Sequence, residues 1–176
     1  AILSLFSLLV AAFVWQRNAW ETPKSNLGFD EIAVLPFESA GENPTDFQIG
    51  LADAMITSLS KIKQLKVLPL TSVRHLAGQQ FDALQIGKQL GTDAVLSGTY
   101  RIDGENVQVS VKLRQAGNGE SIWSETFTVR KKSGWEFENS IALRTARLLS
   151  LKIAEIEEEK NLSTEKLNPE ARQNFL

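Results

Sequence analysis

The sequence predicts an α/β domain, a mixed five-stranded sheet with helices packed against it, preceded by an N-terminal transmembrane helix. Three observations carry this prediction. Residues 1–15 contain no charged side chain, whereas everything after them reads as a water-soluble domain. Short apolar runs then alternate with stretches in which apolar residues recur every three or four positions, the mark of strands interleaved with helices. From residue 94 the period switches to two, over three segments separated by glycine-containing turns, and a long helical stretch closes the domain. The expected order is strand–helix–strand–helix–three-stranded meander–long helix.

The opening run, Ala1-Ile2-Leu3-Ser4-Leu5-Phe6-Ser7-Leu8-Leu9-Val10-Ala11-Ala12-Phe13-Val14-Trp15, has no polar face. That argues against a buried core helix. Hydrocarbon offers backbone N–H and C=O groups no partners, so such a run is best accommodated as a helix inside the bilayer. A crossing takes roughly 20 apolar residues. The run is shorter, and the chain starts at Ala1 rather than Met, so the span is expected to continue upstream. Trp15 and Trp20, with Arg17 between them, have the make-up of a membrane-interface belt. A secretory signal peptide is the alternative, with Val10-Ala11-Ala12 as its small-residue cleavage site, although no basic n-region is visible. Either reading sends the rest of the chain across a membrane.

Residues 16–30 form a polar connector containing Pro23, Asn26 and Gly28, expected to act as a stalk. The domain, residues 31–160, opens with Ile32-Ala33-Val34-Leu35, apolar on both faces and stopped by Pro36, as in a strand covered on two sides. Thr45 and Gln48 have capping-box spacing, and Phe47, Leu51, Met55, Leu59 and Ile62 then trace a helical stripe. Lys66-Val67-Leu68-Pro69-Leu70 reads as a second short strand. Asp82 caps a second helix with Ala83, Ile86, Gly87 and Leu90 inward and Gly91 as its stop.

Residues 94–102 are the first meander strand, Asp103-Gly104 the turn. In the next strand Val107, Val109, Val111 and Leu113 alternate with Gln108, Ser110, Lys112 and Arg114. Gly117-Asn118-Gly119 turns into the third, residues 121–129, where Trp123, Phe127 and Val129 share a face with Glu125. The long helix, from about Trp135 to Glu159, turns Ala142, Ala146, Leu149, Ile153 and Ile156 inward. Residues 161–166 read as a linker. Asn168-Pro169-Glu170 then has the cap, proline and acid of a new helix start, so a further helical region is expected beyond Leu176.

Composition excludes several functions. With 19 Lys+Arg against 21 Asp+Glu and a formal net charge of −2, the chain lacks the basic field that phosphate binding needs, so no nucleic-acid partner is expected for this segment. Arg130-Lys131-Lys132 is a basic run that fits a solvated strand end. The absence of Cys removes disulfides, thiolate metal sites, Cys nucleophiles and a lipid anchor on Cys. About 145 residues after the head suffice for one compact domain.

No catalytic, cofactor or metal site emerges. His75 is the sole His; it follows the second strand, where an α/β fold can place a catalytic loop, but an exposed loop His explains it as well. No glycine cluster follows a strand and opens a helix, so neither a dinucleotide fingerprint nor a P-loop is present. Asp46 and Asp53 fit helix capping and a solvated face, and Glu155, Glu157, Glu158 and Glu159 a solvated helix end. Asn161-Leu162-Ser163 matches a short glycosylation sequon. Trp123 and Trp135 read as packing residues.

The chain does resemble a known family. Ile32-Ala33-Val34-Leu35-Pro36-Phe37, Leu59-Ser60, Lys66-Val67-Leu68 and Thr71-Ser72-Val73 are similar to the TolB N-terminal-like domain. So are Ile86-Gly87-Lys88-Gln89-Leu90-Gly91-Thr92-Asp93-Ala94-Val95-Leu96-Ser97-Gly98-Thr99-Tyr100-Arg101 and Gly119-Glu120-Ser121-Ile122-Trp123-Ser124-Glu125-Thr126-Phe127. The family's acidic start to the first helix is replaced by Phe47-Gln48-Ile49-Gly50-Leu51-Ala52-Asp53. The resemblance implies a non-enzymatic periplasmic domain, often set in CadC- and ToxR-type regulators between a single span and TPR-type helices, with a winged-helix DNA-binding domain in the cytoplasm. It also implies accessory settings in adenylate cyclases and protein kinases. On this reading the chain sits at the bacterial inner membrane and senses or docks. Its partners are the membrane and other protein chains, a second copy among the options; no cofactor is expected and the small-molecule signal is unspecified. An exported envelope scaffold is the remaining alternative.

Overall fold

The computed structural model describes residues 29–39, 45–131 and 135–167. The first strand, β1 (Glu31–Val34), pairs in parallel with β3 (Lys66–Val67) on one side and with β4 (Ala94–Asp103) on the other. Pro36 has no N–H to give. Leu35 N–H still donates to Leu96 O at 2.9 Å before the chain breaks away. Pairing with β4 resumes at β2 (Glu38–Ser39), opposite Thr99 and Tyr100. β1 and β2 are therefore two pieces of one interrupted line along β4, which gives the sheet six strands among the described residues where five were expected.

β4, β5 (Asn106–Gln115) and β6 (Ser121–Arg130) form the expected antiparallel meander. The sheet order is β3-β1-β4-β5-β6. The alternation read in β5 is obeyed without exception: Val107, Val109, Val111 and Leu113 are wholly buried and Gln108 and Lys112 exposed. Register is kept until Leu113 pairs with Trp123 and Arg114 with Ser121, which leaves Ile122 as a bulge. β3 is only two residues long, where five were expected. Pro69, with φ −68°, turns the chain out of the sheet into two 3₁₀ turns, Leu70–Ser72 and Arg74–Leu76.

Helices α1 (Thr45–Leu59) and α3 (Trp135–Leu167) lie together on one face of the sheet. Their core joins Leu51, Met55 and Leu59 with Ile141, Leu149 and Ile153 over Ile32, Val34, Leu96, Tyr100 and the β5 valines. Phe47 stacks edge-on against Tyr100 and offset against Phe137, with centroids at 4.8 and 5.5 Å. Among the described residues, the opposite face is covered only over its parallel half. There Ala33, Leu35 and Val95 meet Val73 and Leu76 of the 3₁₀ turns and Ala83 of α2 (Ala83–Leu90). α2 starts where predicted, with Asp82 Oδ1 accepting from Leu84 N–H at 2.9 Å, and stops at Gly91, whose φ of 71° favours glycine. It can lie this close because Gly87 has no Cβ: one would run into Val95 and stand 3.0 Å from Ala116 Cβ.

α3 continues to Leu167, so residues 161–166, expected as a linker, are its last turns. Nothing in that stretch forbids a helix, and the next proline is Pro169. Ser163 Oγ donates back to Glu159 O at 2.8 Å, a bond that suits a helical serine. Among the described residues no helix is long and apolar enough to cross a membrane. The proposed span, residues 1–15, and the connector up to residue 28 lie outside the described residues, as does Asn168-Pro169-Glu170.

Candidate functional site

His75 is exposed on the second 3₁₀ turn, and its carbonyl oxygen accepts from Gln79 Nε2 at 2.8 Å. Asp46 and Asp53 are exposed on α1, and Glu155 pairs with Lys152 of its own helix at 3.1 Å. Among the described residues no group of three or more His, Asp or Glu side chains is placed to hold a metal ion. Trp15, Arg17 and Trp20, the expected membrane-interface residues, lie outside the described residues. Trp123 is half-buried against the helix-side core.

The best-organised polar group is one that carries no catalytic signature. Asp93 sits between α2 and β4. Its Oδ2 accepts from the backbone N–H groups of both Asp30 and Glu31, each at 3.0 Å. Its own N–H donates to Glu31 O at 3.0 Å, and its carbonyl accepts from Ala116 N–H at 2.8 Å. Lys66 N–H closes the same knot by donating to Asp30 O at 2.7 Å. Just upstream, Phe29 is buried to 3% exposure in the helix-side core. The carboxylate thus fastens residues 30 and 31 to the start of β4, and backbone bonds of Asp30 and Asp93 extend the knot to the start of β3 and the end of β5. A carboxylate accepting two backbone N–H groups makes charge-assisted bonds, stronger than neutral ones.

A second surface is the half of the sheet that no described residue covers. Ser97, Thr99 and Arg101 of β4, Ser110, Lys112 and Arg114 of β5, and Thr126 and Thr128 of β6 face away from α1 and α3. Ser110 and Thr126 share a hydrogen bond at 3.0 Å across the strands. Beside α2 this face dips into an open hollow of about 500 Å³, with Glu38 and Asp82 among its acidic lining residues and Lys112 and Arg114 among its basic ones. Arg114 Nε is buried there without a hydrogen-bond partner.

Near the start of α1 the Tyr100 hydroxyl is enclosed. Burial pushes its pKa above the ordinary phenol value of 10.0, and the adjacent Ser39 and Gln48 side chains pull it partway back. Gln48 Oε1 in turn accepts from Gly78 N–H at 2.9 Å, tying α1 to the loop after the 3₁₀ turns.

α3 provides a third surface. The large apolar side chains exposed among the described residues, Leu143, Leu151 and Leu162, all belong to it. Arg144, by contrast, folds down over the Phe127 ring, its guanidinium 4.9 Å from the centroid.

Among the described residues, the ordered polar groups secure the domain's own framework and the surfaces are open and shallow. The chain belongs to the family described as HilA/YgeH-like transcriptional regulator, second domain, which it matches over residues 29–144. That stretch contains residues 31–129, on which the TolB N-terminal-like resemblance rests. It is also similar to a putative adenylate cyclase 3 of Rhizobium meliloti (strain 1021), 26% identical over 155 residues and 87% of this chain. The chain spans about a quarter of that relative, 26% of its length.

Among solved structures it is similar to the lipoprotein GNA1162 from Neisseria meningitidis, at TM-score 0.48 and 22% identity over 72% of this chain and 96% of that one. It is also similar to TolB from Acinetobacter baumannii, at TM-score 0.49 and 13% identity over 71% of this chain and 28% of that one.

Proposed function

We propose that this chain is the non-enzymatic signal-input and protein-docking domain of a membrane-anchored transcriptional regulator. In this reading residues 1–15 are part of a single span flanked by Trp15, Arg17 and Trp20. Residues 16–30 are the stalk, and the α/β domain lies in the periplasm. The DNA-binding part stands on the other side of the membrane, outside this chain. The observation that carries the reading is the match of residues 29–144 to the second domain of a regulator family. The Asp93 knot supports it physically. A domain that passes a change of contacts to a stalk needs the stalk's end gripped by the sheet rather than hung from a loose loop, and allostery of this kind needs two states that a signal distinguishes.

The full-length protein tests this directly. A winged helix encoded upstream of Ala1, and a reporter fused after residue 167 that is active only in the periplasm, are the expected results. In a transcription reporter strain Asp93→Ala should lose the response while Asp93→Asn keeps most of it. A cytoplasmic location for residue 167 overturns the reading. The relative of 26% identity favours one other reading, the accessory domain of a membrane adenylate cyclase; a cyclase domain in the same coding sequence would establish that one instead.

A further inference from the structure

Six exposed residues run along the outer side of α3: Leu143, Arg147, Leu151, Ala154, Glu158 and Leu162. They are separated by four, four, three, four and four positions. At 3.6 residues per turn this keeps all six within about 100° of arc, along roughly 28 Å of helix. The three leucines are 57%, 63% and 51% exposed, so no other part of the described domain covers them. Neither Arg147 nor Glu158 has an ion-pair partner among the described residues.

The order of these side chains is self-complementary on reversal. Turned end for end about the midpoint between Leu151 and Ala154, the row places Leu143 against Leu162, Arg147 against Glu158, and Leu151 against Ala154. The spacing reads the same in both directions. A parallel in-register pairing would instead oppose Arg147 to Arg147 and Glu158 to Glu158, which like charges disfavour. A twofold-related partner must present the same surface patch to itself, and this row meets that condition in the antiparallel sense alone. The small Ala154 gives room for the larger Leu151 of the opposing helix, as knobs-into-holes packing requires.

We infer that the occupant of this face is a second copy of the chain, docked α3 against α3 in antiparallel register. The inference rests on the reading that the domain works through protein contacts and names the partner. The seam buries a small area, at the low end of interface sizes, so the dimer is reversible with a dissociation constant on the order of 1–100 μM.

Sedimentation velocity of the full chain in a mild detergent, from below to above that range, should show a concentration-dependent dimer. Arg147→Glu and Glu158→Arg should each weaken it roughly tenfold or more, because each opposes like charges at two symmetric positions. The double variant restores the pair with its signs exchanged and should return to within about threefold of the parent. Both sites are exposed, and unchanged circular dichroism will confirm that each variant folds. The chain has no Cys, so the double variant Leu143→Cys, Leu162→Cys offers an independent readout, an intermolecular disulfide on mild oxidation.

A monomer throughout, or single reversals that the double variant does not rescue, overturns the inference. A dimer indifferent to both reversals also overturns it, since the contact is then elsewhere, yet leaves the docking role intact. Conversely, a cytoplasmic location for residue 167 removes the regulator reading and leaves a rescued dimer standing.

Discussion

Replacing Asp93 by alanine removes the acceptor shared by the Asp30 and Glu31 amides, both 3.0 Å from the same oxygen. Hydrogen bonds to a charged group are worth about 1.5–3 kcal/mol each, more than neutral ones. Asp93 is exposed, and water can replace part of what is lost, so about 1 kcal/mol per bond, or about 2 kcal/mol in all, is the expected cost. At about 2.1 cal/mol/K of unfolding entropy per residue over about 130 ordered residues, 2 kcal/mol lowers Tm by about 7 °C. Asp93→Asn is the informative control. A single amide oxygen in the place of Oδ2 can accept the same two N–H groups and forfeits only the charge, so its loss should stay near 1 kcal/mol, about 4 °C.

Thermal unfolding followed by circular dichroism measures the global effect. Hydrogen exchange at residues 30 and 31 measures the local one and should quicken in the alanine variant. An alanine variant within 2 °C of the parent, or an asparagine variant as damaged as alanine, would refute the argument that this one oxygen holds the junction.

Two further outcomes follow from the packing. Gly98→Ala places a methyl group into the Phe37 ring and 2.7 Å from the Ser110 carbonyl oxygen. Backbone cannot swing aside, so urea titration should show a loss of about 1–3 kcal/mol. Leu149, wholly buried between α3 and the sheet, should cost about 2–5 kcal/mol when cut to alanine, and calorimetry would read this as a lower Tm.

Tyr100 gives a pH dependence. Its folded pKa is raised, so above pH 10.0 the unfolded chain loses the phenolic proton first. Stability is therefore intact through neutral pH and falls in the alkaline range, by up to about 1.4 kcal/mol per pH unit, until the folded pKa is passed. Tyr100→Phe should abolish that fall in urea midpoints compared from pH 9 to 11. At neutral pH it should cost little, because the buried hydroxyl has no well-formed hydrogen bond to lose.

The meander and both caps of α2 were legible because their rules are local: alternation in β5, Asp82 before the helix and Gly91 after it. Short-range patterns misjudged the lengths of β3 and α3. An apolar run including Pro69 looks like a strand until the partner strand is known, and β1 is itself only four residues long. At the other end, Asn161 and Ser163 resemble linker residues, yet no glycine or proline intervenes to stop a helix already 25 residues long when it reaches Glu159. Asp93 was visible only as one letter of a family-like stretch. Its role depends on amides 62 and 63 positions away, and no window of local sequence brings those together. The α3 row was hidden for a different reason: the inward residues of that helix give a clean stripe, whereas the significance of Leu143 and Leu151 lies in their being left uncovered.

One detail of β6 bears on how copies of this domain can meet. Among the described residues it is the last strand of the sheet, ten residues long, with one side free of any strand partner. Such an edge is a template for another strand. Glu125 occupies a position in the otherwise apolar row of Trp123, Phe127 and Val129, paired with Val111 and only partly exposed. An incoming strand that extended the sheet would enclose that carboxylate between apolar neighbours, and a charge without a partner resists enclosure. Glu125 thus works against extension of the sheet at this margin, the physical role of a charged side chain on an edge strand.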